Sequence, residues 1–371
     1  MLWRPTINDL LRTALTCIVT ASLVSTLAFA DTAPQTPTSL PAPDGQPADM
    51  SQPVQVYILL GQSNMLGAGK IGTADQPGTL THAVQVKQKY PYLVDESGDW
   101  TVRKDVRNVR VMGSGTGRTR QFNSQWLTIN GGKIGPEIGI GHHLGHAIDA
   151  PVMLLKSCIG NRSLGWDLLP PGSESFVFED KDKKSGEVKT WHYAGYKESP
   201  LRWEQGTEPQ PITWYAGMQY DGDIARAKRV LQELEKNYPG ANGYEIAGFF
   251  FWQGDKDRYD AGHASRYEQN LVHLIKQLRK DFDAPNAKFV CATLGQTEKG
   301  AEGNEGRILE AQLAVDGKSG KYDEFRGNVA TVYSHPLSQG GASNSHYGGN
   351  AETYMDVGEA MGQAMAELLK Q

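Results

Sequence analysis

Beyond residue 53 the chain alternates short apolar runs with longer amphipathic stretches. Residues 54–60 are mostly β-branched, aliphatic or aromatic and stop at Gly61, the pattern of a strand buried on both faces. Residues 151–155, 245–252, 288–294 and 328–333 repeat that pattern. Between them, residues 135–147 open with Gly135-Pro136-Glu137 and read as a helix, because Pro in a first turn forfeits no hydrogen bond. Residues 221–237 place Ile224, Ala227, Val230, Leu231 and Leu234 on one side of a helix, and residues 263–282 do the same with Tyr267, Leu271, Leu274, Ile275 and Leu278. A last helix is predicted over 352–369. Strands separated by helices predict an α/β fold with about five parallel strands covered on both faces. In such sheets ligands bind beyond the carboxyl ends of the strands.

Two stretches fit no compact α/β unit: residues 68–133 and 160–217, both rich in Gly, Trp, Tyr and charge. They are expected to be insertions that form lids or substrate walls. At the other end, Arg4 and Arg12 precede an apolar run that closes with Ala28-Phe29-Ala30. This reads as a signal peptide over residues 1–30, cleaved near Ala30, with export to the periplasm or the medium. The alternative, an uncleaved membrane anchor, would need a longer apolar run. Residues 31–53 are rich in Pro, Thr, Ser and Ala and read as a linker. The net charge of −5 offers no basic footprint for nucleic acid. Cys17 lies in the leader, and Cys158 and Cys291 end apolar strands and read as buried thiols, with a disulfide as the alternative.

The candidate chemistry follows the strand ends. After the first strand comes Gly61-Gln62-Ser63-Asn64-Met65. A Ser on a tight strand-to-helix turn is a nucleophile beside a helix N-terminus that favours an anion, or else a plain helix cap. After the strand ending in Phe251-Trp252 stand Gln253, Gly254 and Asp255, and the Gln253 amide is a candidate oxyanion donor or a tie between loops. Gly160, after the second strand, is a candidate backbone donor or a simple turn residue. His346, in Ser343-Asn344-Ser345-His346-Tyr347, follows the last strand and is placed to act as base and then as acid.

These motifs, in this order over 54–369, resemble the sialate O-acetylesterase-like branch of the SGNH (GDSL-type) hydrolases, which includes bacterial acetylxylan esterases. The resemblance implies a flavodoxin-like three-layer α/β/α fold and hydrolysis of O-acetyl esters on sugars through an acyl-enzyme, with no metal or organic cofactor. It implies Ser63 as nucleophile, His346 as base, and Ser63 N–H, Gly160 and Gln253 as oxyanion donors. Asn64, Asn161, Arg162 and Trp166 are the substrate-side candidates. There are two departures. The acid that the family usually carries three residues before the His is Ser343 here, and Asp255 stands where related sequences often have Glu. Asp255, Asp257 or a backbone carbonyl is left to orient the imidazole, or the site is a Ser-His dyad; Asp255 ranks first among the side chains. A non-catalytic glycan-binding relative and an esterase for another short acyl group are the alternatives.

Other groups point to chemistry less directly. His142 and His146 sit at a helical i, i+4 spacing, but no third metal ligand accompanies them. Trp191, Trp203 and Trp214 are sugar-stacking candidates or packing residues of the second insertion.

Overall fold

A computed structural model describes residues 40–181 and 185–371. The predicted signal segment and the start of the linker lie outside the described residues. Residues 40–53 run without helix or strand. The main elements then follow as β1 (Val54–Gly61), β2 (Arg103–Met112), β3 (Gln121–Leu127), α1 (Glu137–Ala147), β4 (Val152–Ser157), β5 (Phe176–Lys181), β6 (Val188–Tyr193) and β7 (Arg202–Glu204). The second half holds α2 (Met218–Gln232), β8 (Tyr244–Trp252), α3 (Ala261–Asp281), β9 (Lys288–Ala292), α4 (Gly303–Ala314), β10 (Val329–Val332) and α5 (Ala351–Leu369). No helix among the described residues is long and apolar enough to cross a membrane.

Seven strands form one sheet in the order β10-β9-β8-β1-β4-β2-β3. Neighbours pair parallel throughout except β2 with β3. Alternation along each central strand serves both faces. Val54, Val56, Ile58 and Leu60 of β1 join Phe249 and Phe251 of β8 in the core beneath α2, α3 and α4. Tyr57, Leu59, Phe250 and Trp252 face the opposite core, which α1 and α5 cover. The fold is the three-layer α/β/α arrangement.

The sheet has seven strands where about five were expected. Both additional strands come from residues 68–133, so that stretch is part of the central sheet and not simply an insertion. The signal was hidden by charge. In β2 the side chains of Arg103, Arg107 and Arg110 alternate with Val106, Val109 and Val111. Arg103 pairs with Asp105, and Arg107 lies 4.9 Å over the Trp126 ring of β3. Long arginine stems pack like hydrocarbon while their heads find partners. Residues 160–217 do stand apart from the central sheet, with β5, β6 and β7 forming a small antiparallel sheet of their own.

β1 lies at the switch in connection order. The chain leaves β1 toward β4, β2 and β3 on one side, then fills β8, β9 and β10 on the other. A crevice opens at the carboxyl ends of strands where the winding reverses, and Ser63 begins there.

Candidate active site

Gly61 ends β1 with φ 139°, and a Cβ there would run into the Trp252 carbonyl of β8. The backbone can therefore turn sharply out of the sheet only at glycine. A one-turn helix, Ser63–Leu66, follows at once. Gln62 holds the N-cap position and no side chain caps the turn, so Ser63 is not a helix cap. The N–H groups of Ser63 and Asn64 make no hydrogen bond to another described backbone group. Gly160, just beyond β4, lies against this turn, and a Cβ on it would sit 3.4 Å from Ser63 Cβ. The Gly160 N–H is likewise unpaired. Three backbone N–H groups with no backbone partner among the described residues thus lie around a half-buried serine hydroxyl.

The segment Ser343–Gly349 packs against the Ser63 turn from the far side. His346 (φ 54°), Tyr347 (φ 52°) and Gly348 (φ 63°) are all in the left-handed region. Each non-glycine residue held there costs on the order of 1–3 kcal/mol, and such strain clusters at functional sites. Tyr347 anchors the strained loop: it is fully buried, stacks on Trp252 with ring centroids 5.9 Å apart, and its hydroxyl accepts from the Gly295 N–H at 3.1 Å. Ser343 fixes the loop's start. Its N–H donates to Gln296 Oε1 at 3.2 Å, and its hydroxyl donates to Asp255 Oδ1 at 2.5 Å. Asp255 also accepts from Arg258 Nε at 2.9 Å. The carboxylate expected to orient His346 therefore reaches Ser343, and the half-buried imidazole makes no hydrogen bond with the described residues. Asp257 is excluded from that role: it is fully buried, accepts from the Leu164 and Gly165 N–H groups at 2.9 and 2.8 Å, and takes a third bond from Gln253. Burial raises the Asp257 pKa above the usual carboxylate value, opposed by His263 and by these bonds.

Four of the expected site residues are engaged by the packing around them. The Gln253 amide nitrogen sits within bonding distance of Asp257 Oδ2 (2.6 Å), the Arg162 carbonyl (2.9 Å) and Gln62 Oε1 (3.2 Å). A primary amide has two hydrogens, and three buried acceptors leave none for an oxyanion. Gln253 ties the Ser63 turn, through Gln62, to the loop carrying Gly160. Asn64 is fully buried, and its side-chain amide has no hydrogen-bond partner among the described residues. Arg162 is held over the Trp214 ring at 4.7 Å, beside Ser114 Oγ at 3.2 Å and Asp167 at 3.5 Å. Trp166 is 7% exposed and packs with Leu169, Ala194 and Ala216 as the core of the inserted segment. Asn161 alone among the substrate-side candidates is exposed, at φ 57° next to Gly160.

His142 is buried against Tyr92, and no group of three metal-ligating side chains occurs among the described residues. Cys158 and Cys291 are free and buried, and burial pushes each thiol up to about 12. Sequence reasoning passed over Lys156, which lies fully buried in β4 and donates to the Leu66 carbonyl at the end of the Ser63 turn. The available signal was a lysine ending an otherwise apolar strand.

The likeness of the second half of the chain to a known family supports a carboxylic ester hydrolase of the carbohydrate esterase kind. Residues 199–367, which hold Asp255, Ser343 and His346, match the family model described as carbohydrate esterase, sialic acid-specific acetylesterase. A solved structure of a protein from Arabidopsis thaliana aligns with 85% of this chain and 98% of its own at 17% identity, with a TM-score of 0.45. A carbohydrate acetylesterase from Xanthomonas citri aligns over 84% of this chain and 55% of its own at 13% identity and a TM-score of 0.47. NanS aligns over 66% and 68% at 16% identity and a TM-score of 0.33. No curated protein matches the sequence.

Proposed function

We infer that this carbohydrate acetylesterase works as a serine hydrolase with Ser63 as nucleophile and His346 as base. The supporting observation is the meeting of three separate strand-end segments at one point: the Ser63 turn, Gly160 and the strained His346 loop. Ser63 Oγ attacks the acetyl carbonyl carbon while His346 takes the hydroxyl proton. The oxyanion faces the free N–H groups of Ser63 and Gly160, which need no reorganisation as charge develops. Collapse of the tetrahedral intermediate expels the sugar oxygen, which takes the proton back from His346. Water then enters, His346 again accepts a proton, and acetate leaves with Ser63 restored.

Asp255 is a positioning residue in this reading. It holds Ser343, and Ser343 holds the loop from which His346 projects. Gln253 positions the two oxyanion donors relative to each other through Gln62 and Arg162. The substrate is an O-acetylated carbohydrate. Replacing Ser63 by Ala should abolish both acetate release from an acetylated oligosaccharide and labelling by a fluorophosphonate probe. Undiminished turnover by S63A would sink the assignment. A wild-type protein that binds acetylated glycan but neither labels nor releases acetate would instead be a binding relative.

A further inference from the structure

Lys156 takes no part in the chemistry above, yet its ammonium lies directly behind the nucleophile. It is 1% exposed, on the face of β4 that turns toward α1 and α5. Nζ donates to Glu137 Oε2 at 2.5 Å and to the Leu66 carbonyl at 3.2 Å. Leu66 is the last residue of the Ser63–Leu66 turn, so its carbonyl is one that no later turn of helix can satisfy. Glu137 closes Gly135-Pro136-Glu137 and begins α1. The two segments touch along their backbones: Gly67, at φ 94°, leaves the turn where a Cβ would run into Gly135.

The turn is therefore gripped at both ends. At its start, the Gln62 N–H donates to the Trp252 carbonyl at 3.3 Å, and the Gln62 side chain accepts from Gln253 and from the Lys256 N–H. At its end, the grip is the Lys156 ammonium. Stability alone does not explain a charged pair in this place. Two desolvated ions contribute little net, and well-packed apolar residues of similar volume often do as well or better. Burial pulls the Lys156 pKa below the usual lysine value, and the Glu137 carboxylate opposes that shift. What an apolar pair cannot do is donate a hydrogen bond to the Leu66 carbonyl.

The geometry points to Lys156, held by Glu137, as a positioning residue that fixes the Leu66 carbonyl and thereby aims the Ser63 hydroxyl and N–H into the cleft. This rests on Ser63 being the nucleophile. It gives the Gly135-Pro136-Glu137 motif a function in aligning the reaction, beyond starting a helix. A misplacement of about 1 Å at a reacting group costs about a hundredfold in rate, so a four-residue turn free to rock would be expected to show in kcat.

The test compares wild type with K156M, E137Q and E137Q/K156M in thermal unfolding, in kcat and KM on p-nitrophenyl acetate, and in the rate of fluorophosphonate labelling at Ser63. K156M leaves Glu137 buried without its partner and should unfold at a lower temperature. The double variant removes both charges and should recover much of that loss. Its kcat should nevertheless stay at least about tenfold below wild type at unchanged KM, with labelling slowed in parallel. E137Q keeps the donor to Leu66 but loosens its hold, and should lower kcat by less than the double variant does. A double variant with wild-type kcat and labelling rate overturns the proposal. So does one that does not fold, because the pair then serves stability. Wild type that fails to label at Ser63 refutes the nucleophile assignment instead, and the two failures are distinguishable.

Discussion

Ser343 occupies the position three residues ahead of His346 where the family resemblance places an acid, and its hydroxyl is bonded to a carboxylate from another strand end. The serine is too short to reach the imaginary carboxylate's place with a charge, but Asp255 brings a charge to it. If Asp255 acts through Ser343, the two residues work in series, and their effects should not add. D255N should lower kcat by about 10- to 100-fold with little change in KM, the size expected for a mispositioned base. S343A should lose a comparable amount, and D255N/S343A no more than the worse single variant. Multiplicative losses in the double variant would show that Asp255 and Ser343 act independently. Neither link was legible in the sequence, because Asp255 and Ser343 are brought together only by the packing of the loops after β8 and β10. By contrast, Ser63 and Gly160 lie within three residues of the end of an apolar strand and His346 lies in the segment between the last strand and the last helix, and strand ends are where a parallel sheet collects its chemistry.

At the scale of elements, α5 both follows the His346 loop and carries a row of acids toward residues 87–92. Glu352 accepts from Lys87 and Lys89 at 2.5 and 3.1 Å, Asp356 from Lys89 and Tyr90, and Glu359 from the Tyr92 hydroxyl. Burial raises Glu359 from 4.5 to about 7, with Asp356 adding to the shift and the Tyr92 hydroxyl and Lys89 opposing it. Folded protein therefore binds this proton more tightly than unfolded chain. The contribution of Glu359 is fully present below about pH 4.5 and is lost as pH rises through about 7. E359Q keeps an acceptor for Tyr92 and cannot ionise. Its stability relative to wild type should rise by about 1–3 kcal/mol between pH 4 and pH 8, read by urea unfolding. A difference that stays flat with pH would show that Glu359 is not protonated in the fold. The helix itself was plain in the sequence, and its N-cap is Asn350, which accepts from the Glu352 and Thr353 N–H groups at 2.9 and 3.3 Å. α4 was missed because its first turn holds Gly303 and Gly306 and no side chain caps it.

For the whole molecule, the order of the strands decides how rigid the site can be. β1, β4 and β8 are each paired on both edges and buried on both faces, and Ser63, Gly160 and Gln253 follow their carboxyl ends, while the His346 loop follows the edge strand β10. β3 pairs on one edge only, and Gln121, Phe122 and Asn123 are exposed. Strands that open only with global unfolding protect their amides most, and edge strands exchange through cheaper local openings. In hydrogen exchange read by mass spectrometry, peptides covering residues 54–61 and 246–252 should remain protected longest. Peptides covering 121–127 should exchange orders of magnitude sooner, and the inserted sheet of β5, β6 and β7 should exchange early as well. Early exchange across 54–61 would mean that the Ser63 turn is mounted on a strand that opens locally. The positioning argued for Lys156, Gln253 and Asp255 would then have no fixed frame to act against, since each sets the site relative to the ends of these same central strands.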